Sequence, residues 1–340
     1  MPNPVKVVMF SAQRYDQQFF DEINAGQFAA QHFQLTYQAA GLTAESAALA
    51  HDCLAVCVFV NDVVDAEVLK QLAAQGVKLV LLRCAGFNNV DLLAAQQLGV
   101  QVARVPAYSP EAVAEHAVAL IMTLNRHTHR AYNRVREGNF MLDGLLGYTM
   151  HGKTVGIVGT GKIGLATARI LRGFGCHVLG HDPYPADAFA ELGDYVALDQ
   201  LLAQADIVSL HCPLSSQTHY LIDHARVRKM KPGAMLVNTS RGALIDTAAV
   251  IAALKSHHLG ALAIDVYEQE SELFFNDHSS EIIGDDLFQR LMTFPNVLVT
   301  GHQGFFTAEA LREIASVTLG NLQSCVAGQA NPNEVVAHQP

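Results

Sequence analysis

The sequence predicts an α/β protein made of two parallel-sheet domains with a cleft between them. Three observations carry that reading. The chain has 340 residues, and at roughly 150 residues per domain this allows two cores. Short β-branched runs alternate with helical stretches along most of its length, the pattern of repeated βαβ units. The runs are apolar throughout rather than alternating, as expected for parallel strands covered by helices on both faces.

The first α/β series places strands at Val5–Phe10, Phe33–Tyr37, Ala55–Val60, Val77–Arg83 and Val100–Val105, with helices over Ala66–Ala74 and Asp91–Leu98. One long helix is expected over Pro110–Arg136, with Ser109 as N-cap, Pro110 in the first turn where its missing N–H costs nothing, and Glu111 beside it. Glu137–Met150 has no clear period and reads as a loop. The second series places strands at Thr154–Gly159, His177–Asp182, Ile207–His211, Ala234–Thr239 and Leu262–Val266. Helices fit between them at Lys162–Gly173, Leu198–Ala203, Ala225–Met230 and Thr247–Lys255. Residues 267–295, polar and acidic around Phe274, Phe275 and Phe288, read as a long loop, functional or family-specific. A last strand, Val297–Thr300, leads to a closing helix over Thr307–Val326.

Composition narrows the function. Hydrophobic residues make up 50% and charged residues 16%, which excludes a disordered, solvating chain. The longest apolar runs, such as Cys53–Val60 and Val77–Leu82, stop far short of the roughly 20 residues of a spanning helix. The opening Met1-Pro2-Asn3-Pro4-Val5-Lys6 has neither the charged region nor the cleavage site of a signal peptide, so a cytoplasmic protein is expected. The net charge of −10, with no basic stripe, argues against nucleic acid and requires a local cation for any anionic substrate. The 6 Cys are scattered without a C-x-x-C and read as small buried hydrophobes in a reducing compartment. The 16 His form no metal-ligand pattern, and no metal is expected.

The sharpest local signal is Gly159-Thr160-Gly161-Lys162-Ile163-Gly164, set between a strand and a helix. Gly159 allows the tight turn, Gly161 lets the backbone approach a pyrophosphate, and Gly164 lets helix and strand pack closely. The anion then meets free N–H groups at the helix N-terminus. Asp182 ends the next strand, at the spacing of an acid that binds the adenosine ribose. With no Arg beside it, the carboxylate repels a 2′-phosphate, which favours NAD over NADP.

Three further groups fall at strand ends, where ligands bind in open parallel sheets. Arg241, in Asn238-Thr239-Ser240-Arg241-Gly242, can clamp a carboxylate with two parallel hydrogen bonds. Asp265, Glu268 and Glu270 follow the next strand, and His302 the last. Taken singly, each is equally a solvated or structural residue. Together they suit a dehydrogenase: the Arg holds an α-keto acid, the His moves a proton and an acid tunes the His.

The fingerprint, the N-T-S-R-G and D-V-Y-E-Q-E segments and Asn296-Val297-Leu298-Val299-Thr300-Gly301-His302-Gln303 resemble the D-isomer-specific 2-hydroxyacid dehydrogenases. The likeness spans essentially the whole chain. It includes Arg83-Cys84-Ala85-Gly86-Phe87-Asn88-Asn89-Val90-Asp91 and Val105-Pro106-Ala107-Tyr108-Ser109-Pro110. The stretch from Glu272 to Pro295 is similar to the fermentative D-lactate branch. The resemblance implies two Rossmann-like domains: a flavodoxin-like substrate domain, residues 1–105 plus 302–340, into which an NAD-binding domain, 106–301, is inserted. It implies Arg241 as the carboxylate ligand, His302 as the acid/base and Glu270, rather than Glu268, as its partner. A carboxylate there favours the imidazolium needed for keto-acid reduction.

The same resemblance gives the Ala85 and Gly86 N–H groups to the substrate carboxylate, a substrate-side hydroxyl to Tyr108, and aromatic pocket walls to Phe59 and Phe305. Cys212, Pro213, Thr218, Thr239, Ser240 and Asp265 would line the cofactor cleft. A homodimer or homotetramer is implied, with the helix from Pro110 in the subunit contact. Gly304 departs from the family, which often carries a larger residue there, so a more mobile loop around Phe305 is expected. Two other functions stay open: a dehydrogenase for another 2-keto acid (phenylpyruvate, 2-ketoisocaproate or glyoxylate), and a non-catalytic NAD-sensing binding protein of the same fold.

Overall fold

The computed structural model describes residues 4–337. By internal packing the chain forms one unit from the N-terminal residues to Ser109 and from Phe306 onward, and a second from Pro110 to Phe305.

The first unit has a five-stranded sheet of β1 (Val5–Met9), β2 (Phe33–Tyr37), β3 (Ala55–Val58), β4 (Leu79–Leu82) and β5 (Gln101–Arg104). All pairings are parallel and the order is β2-β1-β3-β4-β5, the flavodoxin-like winding. Every residue of β3 and β4 is buried, which is why these runs carry no polar alternation. The helices Ala66–Ala74 and Leu92–Leu98 start where Asp65 and Asp91 accept from the Val68 and Ala94 N–H groups, at 2.9 Å each. The closing helix Ala308–Val326, capped by Thr307, packs against the helix Arg14–Gln27 of this unit.

The second unit has a seven-stranded parallel sheet. Its strands are β6 (Thr154–Val158), β7 (His177–His181), β8 (Asp194–Tyr195), β9 (Ile207–Leu210), β10 (Ala234–Asn238), β11 (Leu259–Ile264) and β12 (Val297–Val299). The order β12-β11-β10-β9-β6-β7-β8 reverses direction between β9 and β6, the switch point of a dinucleotide-binding fold. Alternate strand residues face opposite layers. Val158, Val208, Leu210 and Leu236 pack with Leu201, Leu202, Val250 and Leu254. Val155, Ile157, Met235 and Val237 pack with Ala117, Ile121, Ala168 and Leu171.

The structure corrects several expectations. The helix expected over Pro110–Arg136 is two helices, Pro110–Arg126 and Thr128–Arg136, separated by His127 at φ 50°. Residues 267–295 are not one loop: they hold a single turn at Glu270–Glu272 and a helix, Asp286–Met292, capped by Asp285. The fifth strand of this series lies at Leu259–Ile264, so Asp265 follows it. The helix expected over Ala225–Met230 is the single turn His224–Val227. Among the described residues, no helix is long and apolar enough to cross a membrane.

Candidate active site

One row of paired residues runs across the second sheet: Val299 opposite Ile264, Ile264 opposite Asn238, Asn238 opposite Leu210, Leu210 opposite Val158, and Val158 opposite His181. Many of the groups singled out in this unit's strand-end loops lie just past that row. Gly159, Asp182 and Asp265 come one residue beyond it, Cys212 and Ser240 two, and Arg241 and His302 three. With neighbouring strands about 4.8 Å apart, parallel pairing gathers them along one sheet edge.

The fingerprint fits a pyrophosphate on geometric grounds. Gly159 has φ 94°, and a Cβ there would fall 2.5 Å from the Cys212 nitrogen. A Cβ on Gly164 would lie 2.0 Å from the Gly159 carbonyl oxygen. Gly161 has open space instead, with nothing within 4 Å of a Cβ built there, and it caps the helix Lys162–Gly173. Lys162 is exposed and Ile163 partly so. Asp182 is already oriented. Its Oδ2 accepts from the Thr160 N–H at 2.7 Å and hydroxyl at 3.2 Å, and its Oδ1 from the Tyr184 N–H at 2.9 Å. Lone pairs remain on both oxygens for ribose hydroxyls.

Cys212 is buried, and its carbonyl accepts from the Ser240 hydroxyl at 2.7 Å. The Pro213 carbonyl accepts from the Thr218 hydroxyl at 2.6 Å. The Thr239 hydroxyl oxygen is buried without a partner among the described residues. These residues therefore suit a dinucleotide.

Asn238 shapes the turn that presents Arg241. Its amide nitrogen donates to the Arg241 carbonyl at 2.8 Å, and its amide oxygen accepts from the Ser240 N–H at 3.1 Å. The Arg241 guanidinium donates to the Ser240 carbonyl at 2.6 Å, leaving most of its donors for an anion. His302 Nδ1 lies 2.9 Å from Glu270 Oε1, with the two side chains 19% and 22% exposed. Glu270 Oε2 accepts from the Tyr267 N–H at 3.0 Å. With Nδ1 so engaged, Nε2 is the nitrogen left for substrate. The Phe275 ring lies 5.8 Å from the imidazole, centre to centre. Glu268 is used elsewhere: its Oε2 accepts from the Thr247 N–H at 3.1 Å.

Asp265 is only 1% exposed. Its Oδ1 accepts from the Thr300 hydroxyl and the Gln303 N–H, and its Oδ2 from the Gly304 N–H. Its carbonyl accepts from the His302 N–H at 2.7 Å. It holds the turn that carries His302, at φ 54°. Phe305 is buried and Gly304 is tied at 2.8 Å, so the loop expected to be mobile is anchored.

In the first unit the expected site residues again follow strand ends. The Phe59 N–H donates to Asp62 at 2.6 Å, its carbonyl accepts from Asn89 at 3.0 Å, and the Arg83 guanidinium lies 5.0 Å from its ring centre. Arg83, itself 3% exposed, is paired with Asp16 at 3.3 Å. The Ala85 carbonyl accepts from Arg104 at 2.8 Å, and the Gly86 carbonyl from the Cys84 thiol at 3.3 Å. Tyr108 is partly buried. Sequence reasoning missed Thr160, Asn89, Arg104 and His116, which act through contacts with residues remote in the chain. Among the described residues no group of three or more His, Cys, Asp or Glu could hold a metal ion.

Comparison with known proteins agrees with this geometry. The profile of the D-isomer specific 2-hydroxyacid dehydrogenase NAD binding domain matches residues 118–304. The chain is 58% identical to 2-hydroxyacid dehydrogenase A of Aspergillus oryzae, over 98% of this chain and 95% of that one. It is 52% identical to D-lactate dehydrogenase of Escherichia coli, over 98% and 100%. The apo structure of the Escherichia coli enzyme superposes with a TM-score of 0.89 at 50% identity, covering 97% of this chain and 100% of that one. A fold wound to bind a dinucleotide, a fingerprint shaped for it and relatives matched over nearly their whole length lead to one conclusion: the chain belongs to the D-isomer-specific 2-hydroxyacid dehydrogenases, NAD-dependent oxidoreductases acting on a CH–OH group.

Proposed function

We propose that this protein is a D-lactate dehydrogenase that reduces pyruvate to D-lactate. The observation that carries the reading is the His302–Glu270 pair, 2.9 Å apart, on the same sheet edge as Arg241 and the fingerprint. Arg241 binds the substrate carboxylate through two charge-assisted hydrogen bonds and so orients the ketone. His302 donates the Nε2 proton to the carbonyl oxygen during reduction and recovers it from the hydroxyl during oxidation. Glu270 fixes the imidazole's tautomer and orientation by accepting from Nδ1. NADH, when bound, supplies the hydride. Asp182 selects it over NADPH by repelling a 2′-phosphate.

By the family resemblance, the Ala85 and Gly86 N–H groups bind a substrate carboxylate and Tyr108 contributes a hydroxyl. Phe59, Tyr108 and Phe305 are the aromatic residues that the family resemblance assigns to the substrate side chain. Three aromatic rings favour a methyl group. The first unit is thus the substrate domain and the second the cofactor domain. The buried free thiols Cys53, Cys57, Cys176 and Cys212 support a reducing, cytoplasmic setting. The exposed apolar side chains of Phe140, Met141, Leu142 and Leu146 support a homodimer or homotetramer, which light scattering would size.

The test is kcat/KM with NADH across pyruvate, glyoxylate, 2-ketoisocaproate and phenylpyruvate, with chiral analysis of the product. Pyruvate is expected to lead by a graded margin, since each methylene in an apolar pocket is worth about 1–3 kcal/mol. A preference for phenylpyruvate would replace the lactate assignment with a bulkier 2-hydroxy acid. No turnover of any keto acid would refute the catalytic reading.

A further inference from the structure

His116 lies on the helix Pro110–Arg126, outside every motif that carries the chemistry. Its Nε2 is 3.2 Å from Asp265 Oδ1 and 3.2 Å from Thr300 Oγ1. The single Thr300 hydroxyl proton goes to Asp265, so the proton between His116 and the carboxylate must sit on His116 Nε2. Were Nε2 bare, its lone pair would face a carboxylate oxygen in a nearly dry site.

Burial alone would push the Asp265 carboxyl up. Hydrogen bonds from His116, Thr300 and the Gln303 N–H outweigh it and hold the group below the usual carboxylate range. The charged carboxylate can then accept on both oxygens and tie Gln303 at 2.9 Å and Gly304 at 2.8 Å. His302 precedes these two residues, in a left-handed conformation that a non-glycine residue keeps only when its surroundings hold it there. Packing agrees with the hydrogen bonding. A Cβ on Gly304 would lie 3.1 Å from Asp265 Oδ2 and 3.5 Å from His116 Cδ2. The absent side chain at 304 is thus the space in which the carboxylate and the His116 ring meet the turn.

We propose that His116 is a positioning residue for proton transfer: through the Asp265 carboxylate it sets the turn that aims His302 at the substrate. This rests on His302 being the acid/base. His116 itself touches no reacting atom. Its loss is expected to slow the chemical step far more than it weakens dinucleotide binding, because Asp265 is the one expected cofactor-cleft residue it touches, while the fingerprint strand β6 and Asp182 lie on the far side of β9.

The experiment compares full-length His116→Phe, which keeps a ring without a donor, with His116→Gln, which restores an N–H. Readouts are the single-turnover rate of NADH oxidation by pyruvate, the pyruvate KM, the NADH Kd and Tm. We expect the Phe variant to lose about tenfold to a hundredfold in single-turnover rate, the scale of a misplaced proton donor. Its NADH Kd should stay within about twofold, and the Gln variant should recover most of the rate. If the Phe ring is not accommodated, His116→Met makes the same comparison. A wild-type rate in the donor-free variant, or equal defects in both variants, would overturn the proposal. His302→Gln, assayed in parallel, separates the two levels. If it still turns over, the acid/base reading falls and this proposal with it. If it is inactive while His116→Phe is unimpaired, only the positioning role falls.

Discussion

Gly242→Ala tests whether the strand-end loops form a rigid mount for the chemistry. Gly242 follows Arg241, and its added Cβ would lie 2.0 Å from the Tyr267 carbonyl carbon, 2.2 Å from its oxygen and 2.4 Å from the Glu268 nitrogen. Ordinary contact begins at 3.4 Å, so the two loops must part by about 1.4 Å, a gap that side-chain rotation cannot absorb because both partners are backbone. The second loop is also tied down: the Tyr267 hydroxyl donates to Asp285 at 2.7 Å and its N–H to Glu270 at 3.0 Å. Overpacking of this kind costs about 1–3 kcal/mol, or a fall in Tm of roughly 2–12 °C for a domain of this size. Arg241 is adjacent to the clash and Glu270 three residues beyond Tyr267, so both shift. A misplacement of about 1 Å can cost on the order of a hundredfold. The assay is kcat/KM for pyruvate, with the NADH Kd and Tm measured alongside. We expect kcat/KM to fall by about that factor with NADH affinity nearly kept. Wild-type kcat/KM together with wild-type Tm would show that these loops separate freely, and the argument from close approach would fail.

Asp182→Ala should narrow the preference for NADH over NADPH, because it removes the carboxylate held by Thr160 at 2.7 Å; an unchanged kcat/KM ratio would count against Asp182 as the selector. Glu270→Gln replaces the carboxylate 2.9 Å from His302 Nδ1 with an amide that no longer fixes the imidazole's tautomer, so kcat for pyruvate reduction should fall by on the order of a hundredfold; a wild-type kcat would remove Glu270 from the mechanism. Desolvation pushes the His211 imidazole down to about 4 from 6.5, so the folded protein holds this ring neutral while the unfolded chain protonates it. The resulting stability is present above about pH 6.5 and is lost as pH falls toward about 4, by at most about 3 kcal/mol. His211→Asn should flatten that part of the Tm-against-pH curve, and identical curves for both proteins would refute it.

Much of this protein was legible locally. Strands buried on both faces leave continuous apolar runs, and β2, the helix Ala66–Ala74 and the helix Lys162–Gly173 lie at the expected residues. The glycine fingerprint was legible because its demands act within a few residues: the turn at Gly159, the open backbone at Gly161 and the helix contact at Gly164. The order of groups at strand ends followed from parallel topology, which puts every such loop on one edge. Elements with weak local patterns were misjudged. In β11, Gly260 hides the strand start: a Cβ there would lie 2.2 Å from the Gly233 carbonyl oxygen, so the position takes no side chain. The helix Asp286–Met292 is only about two turns inside a polar stretch that carries no extended period. Only the tertiary structure joined Thr160 to Asp182, Asn89 to Phe59 and His116 to Asp265. Those contacts depend on how a helix or loop is rotated and set against a sheet built from distant residues. That placement is decided by packing over the whole core, and no run of neighbouring residues encodes it.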